Sequence, residues 1–479
     1  MFEQIIGNIN DMLSTYILVI VLILGGLYFT VSTKFSQFRL LGEQIRSVTE
    51  KPKDKNSVSS FQALMVSTAS RVGTGNIVGV ATAICAGGFG SVFWMWVIAI
   101  IGSASAFVES TLAQIYKKKG KDGCYGGPAY YIESALHSRW LAVVFSVLLI
   151  LTYGVGFNML ASFNLQSTFG AYPSFYNQSV SLQLFGSTLS FNPIPWVIGL
   201  IIALVVGYCL FGGGKRIISF TTLIVPLMGV AYILVALVLT LINITELPSI
   251  FGKIFAEAFD FKAIFGGIAG SCMMYGIRRG LFSNEAGVGS APNASASAEV
   301  SHPAKQGLVQ VLSVFIDTLL ICSATAFMCM SSGLNPSDYE GADYVQEALR
   351  LSMGEVGPIF ITVAMILFAF TTLIGNLFYV DKAFCFILKK EPGKKFKTVY
   401  YIIASLLIFI GAGQSADLLW GISDILMGCM TLINIPVIIC LGKFAFRALD
   451  DYQKQRKEGK DPVFKARDIS LPHKTDYWN

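Results

Sequence analysis

Charged side chains inside long apolar stretches are the residues of this sequence with the clearest chemical potential. Arg71, Glu109 and Asp317 each lie among apolar residues, and Glu285 lies at the expected cytoplasmic end of another apolar stretch. An ionised group in hydrocarbon is costly, so such residues pair with one another or face a polar cavity. We therefore predict a gating or structural ion pair between Arg71 and one of the three carboxylates, each of which stays open as the partner. A direct contact of Arg71 with a substrate is the alternative.

Two glycine-rich segments interrupt apolar stretches at comparable positions. Residues 67–79 mix serine, threonine, asparagine and glycine, and residues 265–272 contain three glycines and a serine. We expect Arg278 and Arg279 at the cytoplasmic end of the second stretch, which places residues 266–271 near mid-membrane at about 1.5 Å per residue. Unwound backbone survives in a membrane only beside a polar cavity, because hydrocarbon leaves its N–H and C=O groups without partners. A matched pair of such interruptions indicates the binding site of a secondary transporter, where half-helix ends meet a carboxylate and a cation. Close packing of helices through glycine is the alternative.

A pair of threonines, Thr371 and Thr372, lies midway along another apolar stretch. Their hydroxyl oxygens suit a hard cation such as Na+, whereas buried threonines also bond back to the preceding helical turn. In an inverted repeat of ten helices, the eighth helix can approach the interruption of the first. We accordingly predict a sodium site that includes both threonines, with H+ as the alternative coupling ion.

The elements that position these residues are apolar stretches of about 20 residues, which is long enough to cross a bilayer. We identify eleven of them, at residues 13–33, 58–86, 90–116, 140–168, 193–211, 218–244, 257–290, 306–330, 357–386, 398–414 and 418–443. Eleven spans divide into one extra helix and ten that form a five-plus-five inverted repeat. The predicted fold is therefore an all-α polytopic membrane protein with two broken helices. Its predicted parts are the extra helix (1–34), the repeat core (57–445) and a cytoplasmic tail (446–479), which we expect to be a solvated, partly ordered extension.

The charge distribution predicts the orientation in the membrane. Nearly all of the 35 Lys and Arg residues fall in alternate loops and in the tail. Positively charged loops stay cytoplasmic, so we expect the N-terminus outside and the C-terminus inside a cell membrane. The same loops account for the net charge of +6. Membrane lipid is therefore an expected partner, nucleic acid is not, and the oligomeric state stays open and compatible with a monomer.

Enzymatic functions are disfavoured by the distribution of reactive side chains. The nine cysteines form no CxxC pair, and the three histidines lie outside the predicted spans. Gly73-Thr74-Gly75 does not match a nucleotide-binding fingerprint, because the next glycine comes one residue late and no strand precedes it. A passive channel is the remaining alternative, but it requires a continuous polar lining, and the polar residues here cluster in mid-membrane.

Five motifs resemble those of the alanine or glycine:cation symporter family. They are SRVGTGN at 70–76, GGPAYYI at 126–132, RGLFSNEAGVGSAP at 279–292, KQGLVQ at 305–310 and DT at 317–318. The resemblance implies sodium- or proton-coupled uptake of a small neutral amino acid on a fold of the leucine-transporter type. It also implies alternating access, with the substrate held between the two broken helices.

The resemblance also assigns roles to individual residues. Thr74 and its flanking glycines match the family's substrate contacts, and Thr372 falls in the substrate or sodium site. The substrate carboxylate is expected at N–H groups of residues 73–76, and its ammonium group at carbonyls of residues 266–271. The predicted substrate site comprises Gly73, Thr74, Gly75, Asn76, Ala161, Gly270, Ser271 and Asn376.

Two positions depart from the family pattern. Ala161 stands where the family usually has a glutamine, and Asn376 where it often has a tryptophan. Both changes enlarge the expected pocket, and the second makes it more polar. We therefore expect a substrate of the alanine and glycine class that extends to larger polar amino acids, with glutamine as the first candidate.

Overall fold

The structure is a computed structural model that describes residues 2–52, 54, 57–120, 123–184, 187–260, 271–471 and 475–478. It is mostly helical. The helices in chain order are α1 (Phe2–Met12), α2 (Val19–Ser32), α3 (Ser36–Arg39), α4 (Leu41–Val48), α5 (Ser60–Arg71), α6 (Val80–Gly87), α7 (Gly90–Ile115), α8 (Pro128–Leu136), α9 (Arg139–Leu151), α10 (Phe157–Ser167), α11 (Pro173–Tyr176), α12 (Ile194–Leu210), α13 (Gly213–Ile242), α14 (Leu247–Ala258), α15 (Cys272–Asn284), α16 (Pro292–Ser295), α17 (Pro303–Val314), α18 (Ser323–Met330), α19 (Gly341–Met353), α20 (Val356–Leu388), α21 (Lys394–Gly411) and α22 (Ala416–Lys457).

Wider π-helical turns join several of these helices. They cover Leu13–Leu18, Gly75–Gly79, Thr152–Gly156 and Phe315–Cys322. Turns of this type are rare and occur frequently at functional sites. The turns at Gly75–Gly79 and Phe315–Cys322 contain Asn76 and Asp317, which are in contact with each other.

Seven helices of the described chain are long and apolar enough to cross a membrane. They are Ile9–Ser32, Gly90–Ile115, Arg139–Ala171, Gly213–Ile242, Pro303–Met330, Val356–Leu388 and Ala416–Lys457, and the shorter Gly75–Gly87 and Ile194–Leu210 are also apolar. Of the remaining predicted spans, 58–86 is interrupted, and 257–290 includes residues 261–270, which lie outside the described residues. Helix α21, which covers most of 398–414, begins with charged residues that lower its hydropathy.

Helix α7 lies at the centre of the bundle, where it packs against α2, α15 and α17. It begins at Gly90 and ends at Ile115, so we name the two ends of the bundle the Gly90 end and the Lys117 end. Helix α5 begins at the Lys117 end, because Val58 beside it forms a parallel bridge with Ala298, whose carbonyl accepts a hydrogen bond from Lys117.

The two interrupted helices cross this bundle in opposite directions. The first consists of α5 and α6, which run from the Lys117 end to the Gly90 end with a break at residues 72–74. The second consists of α15 and α16, which run the other way and leave residues 285–291 outside any helix. Positive φ angles at Glu285, Gly287 and Gly289 stop the helix there, and two of these positions are glycines because L side chains rarely adopt that conformation.

Two features differ from the sequence prediction of an all-α chain with a solvated tail. Two antiparallel hairpins are present, formed by Lys118–Gly120 with Gly123–Tyr125 and by Val180–Leu184 with Ser187–Phe191. Helix α22 continues to Lys457, and the chain beyond it folds back onto the Lys117 end, where Trp478 is only 7% exposed. Aromatic residues in this charged segment supply apolar area that a solvated tail would leave in water.

Candidate functional site

The break after α5 is held open by side chains rather than by a helical hydrogen-bond pattern. Val72 is extended, and the side-chain oxygen of Asn76 accepts the N–H of Gly73 at 2.7 Å. The carbonyl of Asn76 accepts the hydroxyl of Thr325 at the same distance. Asn76 therefore organises the start of the second half-helix, which points its positive end towards the break.

Glu285 lies at the second break, in the middle of the bundle. Its carboxylate accepts a hydrogen bond from Ser290 at 2.6 Å and lies 3.2 Å from the hydroxyl of Ser70. It thereby connects the two breaks. The prediction that Glu285 ends a span at the cytoplasmic surface is wrong, because α15 starts at the Gly90 end and reaches only mid-bundle.

Asp317 joins the same two elements from the π-helical turn after α17. Its Oδ1 accepts a hydrogen bond from Asn76 at 2.7 Å, and its Oδ2 accepts from Ser283 and Thr318, each at 2.8 Å. The residue is completely buried. All three donors are neutral, so this buried carboxylate has hydrogen bonds but no cationic side chain among its described partners.

The predicted ion pair of Arg71 is not formed among the described residues. Its Nη1 donates instead to Gln310 Oε1 at 2.9 Å, and Gln310 in turn donates to Ser67. Glu109, a predicted partner, accepts hydrogen bonds from Asn434 at 2.8 Å and from the N–H of Gly287 at 3.4 Å. Arg71 and Glu109 therefore each bond to a neutral side chain, on α17 and α22 respectively, where the sequence predicts an ion pair.

The two threonines of α20 behave differently. Thr371 donates to the carbonyls of Leu367 and Phe368, each at 3.0 Å, which is the local bond of a buried helical threonine. Thr372 is 6% exposed, and its hydroxyl has no partner among the described residues. A Cβ added at Gly73 would collide with that hydroxyl. The break and Thr372 are therefore in direct contact.

Asn376 lies one turn further along α20 and is fully engaged with protein groups. Its Oδ1 accepts from Ser70 at 2.6 Å, and its Nδ2 donates to Asn158 at 3.0 Å. Ala161 is buried on α10 in the same region. Thr74 accepts a hydrogen bond from Asn164 at 3.1 Å. The structure thus brings α10, α20 and the first break together.

Ser271 is the predicted site residue that lies elsewhere. It caps the start of α15, and the neighbouring Cys272 contacts the carbonyl of Glu257 at the Gly90 end. The structure therefore places Ser271 away from the two breaks, at the Gly90 end. The sequence prediction placed it nearer the centre because it took Arg278 and Arg279 as the cytoplasmic end of the span. Gly270 lies outside the described residues.

Sequence reasoning missed a buried charge cluster between the breaks and the Gly90 end. Asp424 of α22 is 1% exposed and forms an ion pair with Arg279. Arg278 lies 3.8 Å from the same carboxylate. The guanidinium of Arg279 also stacks 4.1 Å from the ring centre of Trp420. The available signal was Asp424 itself, an acid within the apolar stretch 418–443.

An aromatic layer lies between this charge cluster and the first break. The rings of Phe157 and Phe282 are 4.4 Å apart, and Trp420 packs 4.8 Å from Phe282. Phe282 also contacts the backbone position of Gly75. The layer and the ion pairs together pack over the Gly90 side of the first break.

Comparisons with known proteins identify the family of the chain. A model of the sodium:alanine symporter family matches residues 1–466. The chain is 42% identical to the amino-acid carrier protein AlsT of Bacillus subtilis, over 100% of its own length and 98% of the relative's. It is 44% identical to the probable sodium/glutamine symporter GlnT of the same organism, over 96% and 93% of the two lengths.

A solved structure of MhsT in complex with L-phenylalanine shares 14% identity, with a TM-score of 0.48 and coverage of 88% of this chain and 92% of that one. The family assignment rests on the sequence relationships, which extend over the whole membrane bundle. This multi-pass membrane protein therefore belongs to the sodium:alanine symporter family, whose members are transporters and not enzymes.

Proposed function

We propose that this protein is a sodium-coupled symporter that imports a small neutral amino acid by alternating access. The observation that carries the proposal is the meeting of two helix breaks in the middle of the bundle, beside the hydroxyl of Thr372, which has no partner among the described residues. Such breaks supply backbone donors and acceptors at the depth where transporters bind their cargo. The relatives AlsT and GlnT, which carry the names of an amino-acid carrier and a probable sodium/glutamine symporter, support the same class.

The proposed architecture has eleven spans, with an extra helix (1–34) before a five-plus-five inverted repeat (57–445). The opposite directions of the two interrupted helices support this repeat, because inverted halves place equivalent helices antiparallel. We further propose that the Lys117 end is cytoplasmic. Lys117, Lys118 and Lys119 follow α7 directly, and the positive-inside rule favours that side.

The proposed sodium site contains Thr372 and carbonyls of the first break. A hydroxyl that lacks a partner in the described part of the chain fits a hard cation, which prefers oxygen ligands. Thr371 is a weaker candidate, since its hydroxyl already donates to two backbone carbonyls. Sodium bound there stabilises the contact between α20 and the break, and thereby the conformation that accepts the substrate.

The proposed substrate site lies between the breaks. The carboxylate of the amino acid meets N–H groups at residues 74 and 75, where the second half-helix presents its positive end; the N–H of Asn76 already donates to the carbonyl of Gly73. The ammonium group meets carbonyls of residues 285–291, which take the place of the earlier candidates at 266–271. Asn158 Nδ2 and Asn164 Oδ1 are buried without partners among the described residues. These two amide atoms favour a substrate with a polar side chain that can bond to them. We therefore keep glutamine as the first candidate beside alanine and glycine.

Uptake of radiolabelled glutamine, alanine and glycine into proteoliposomes tests the proposed function. We expect accumulation that requires an inward sodium gradient, with glutamine competing at least as well as alanine. Accumulation driven by a proton gradient alone would identify H+ instead of Na+ as the coupling ion. This outcome is relevant because one relative is named a putative sodium/proton-dependent alanine carrier. Strong preference for alanine and glycine over glutamine would contradict the polar-substrate assignment, and uptake without saturation would favour a channel.

Removing the hydroxyl of Thr372 is expected to weaken sodium binding. In Thr372→Ala, the sodium concentration for half-maximal uptake should rise about tenfold, which corresponds to ~1.4 kcal/mol. Thr371→Ala is the matched control on the same helix, and it should change this value less than about twofold because its hydroxyl is already satisfied. Equal effects of the two substitutions would remove Thr372 from the sodium site.

A further inference from the structure

The chain after α22 crosses the Lys117 end of the bundle and docks there. The N–H of Phe464 donates to the carbonyl of Ser301 at 3.0 Å, and the hydroxyl of Ser301 donates to the carbonyl of Pro462 at 2.7 Å. Asp461 forms an ion pair with Lys305 at 3.0 Å. These contacts hold residues 461–464 against the segment that joins α16 to α17.

The last described residues attach to a second element, the end of α7. The indole N–H of Trp478 donates to the carbonyl of Gln114 at 2.7 Å. The ammonium group of Lys117 lies 3.9 Å from the ring centre of Tyr477 and donates to the carbonyl of Ala298 at 2.8 Å. Burial lowers the pKa of Lys117 to about 8. The tail therefore covers a lysine that would otherwise face water.

The docked segment is also internally ordered. The rings of Phe464 and Trp478 pack edge to face at 5.3 Å, and the N–H of Ala466 donates to the carbonyl of Trp478 at 3.0 Å. Its two attachment points are thus connected to each other. We call the described parts of residues 461–478 the C-terminal clasp.

The clasp contacts the segment after α16, which at the Lys117 end lies next to the start of α5. There, the N–H of Glu299 donates to the carbonyl of Val58 at 2.9 Å, just before α5 begins. A path from the breaks to this end requires the start of α5 and the segment after α16 to separate. The clasp connects the segment after α16 both to α7 and to the end of α22. It therefore opposes the separation of this segment from the start of α5.

We propose that the C-terminal clasp holds the transporter closed at the Lys117 end, and that its release accompanies opening to that side. This inference rests on the proposed function for its transport readout. The clasp belongs to the same chain as the transport core, so its contacts set the balance between the closed and open states without a separate partner. A weaker clasp populates the open state and leaves fewer molecules ready to bind external sodium.

Hydrogen–deuterium exchange in lipid nanodiscs, combined with uptake, tests the clasp. The amide of Glu299 reports closure, because its partner Val58 lies directly before α5, the start of the first interrupted helix. In Trp478→Ala, exchange in the peptide containing Glu299 should rise about threefold or more in sodium, since exchange follows the population of the open form. The sodium concentration for half-maximal uptake should rise about threefold for the same reason.

Trp140→Ala is the matched control, because Trp140 is 74% exposed. It should leave both readouts at native values. If Trp478→Ala loosens the clasp peptide itself but matches Trp140→Ala in Glu299 exchange and sodium dependence, the clasp has no role in closure. Absence of sodium-driven uptake in the native protein would instead contradict the proposed function.

A measurement on the native protein avoids any effect of a substitution on folding. Exchange is compared between sodium and potassium buffers. The clasp peptide and the Glu299 peptide should lose protection together in potassium, because one event releases both. Loss of protection at Glu299 with an unchanged clasp, or the reverse, would overturn the proposal.

Discussion

Substitution of Gly73 by alanine is expected to reduce sodium-driven uptake to below about a tenth of the native rate, because overpacking at a tight contact displaces the neighbouring group. The new methyl group would collide with the hydroxyl of Thr372 and would lie 3.1 Å from its Cβ and 3.3 Å from its Cγ2. Since threonine is branched at Cβ, rotation about χ1 exchanges one close contact for another. The hydroxyl is therefore driven away from the break.

This effect is steric and not a matter of backbone conformation, because Gly73 is not among the residues with positive φ. Gly229→Ala in α13 is the control, since a Cβ at Gly229 has no atom within 4 Å. The double variant Gly73→Ala with Thr372→Ala separates the two consequences. It should recover part of the thermal stability, because alanine lacks the hydroxyl and Cγ2 and leaves only the 3.1 Å contact with Cβ, but it should not recover sodium affinity. Native uptake in Gly73→Ala would show that the contact between the break and Thr372 has no role in transport.

Substitution of Asp424 by asparagine is expected to cause the largest loss of stability. Asp424 is the buried acid that faces Arg278 and Arg279, which are 8% and 4% exposed. Breaking a buried ion pair by removing one partner costs about 3–5 kcal/mol, because the remaining charge stays desolvated. Asp11 compensates only in part, since it is largely exposed and lies 3.6 Å from Arg278 alone. The thermal unfolding midpoint in nanodiscs should fall clearly below that of the native protein.

The same substitution should weaken closure at the Gly90 end. Arg279 stacks on Trp420, which packs on Phe282 above the first break, so a displaced Arg279 disturbs the aromatic layer. Asp417→Asn is the matched control, because Asp417 is an exposed acid on the same helix. Asp424→Glu keeps the charge and should restore most of the midpoint. An unchanged midpoint in Asp424→Asn would mean that the two arginines find other partners at no cost.

Several features of the site were predictable from residue types alone. The run of small polar residues at 67–79 predicted a break in a helix, and α5 does end at Arg71. Thr372 was predicted to approach that break, and it contacts Gly73 directly. Both predictions depend on local chemistry, since glycine and hydroxyl residues in hydrocarbon need a polar environment wherever the helices lie.

The position of the second break was not predictable in the same way. Glycines at 266–270 and at 287–289 are equally good helix interruptions by composition. The choice made from the sequence depended on placing Arg278 and Arg279 at the cytoplasmic surface. Only the packing of α15 against the start of α7 shows that these arginines lie nearer the Gly90 end, where Asp424 neutralises one of them.

By itself, the sequence determined the class of this protein, because long apolar stretches, charge asymmetry and specific motifs are properties of the chain that no folding partner changes. Only the tertiary structure decided which polar groups meet. Arg71 bonds to Gln310, Asp317 bonds to Asn76, and the tail docks beside Lys117. Each of these contacts joins residues far apart in the chain, and a buried polar group accepts whichever satisfying partner the packing of helices brings within reach.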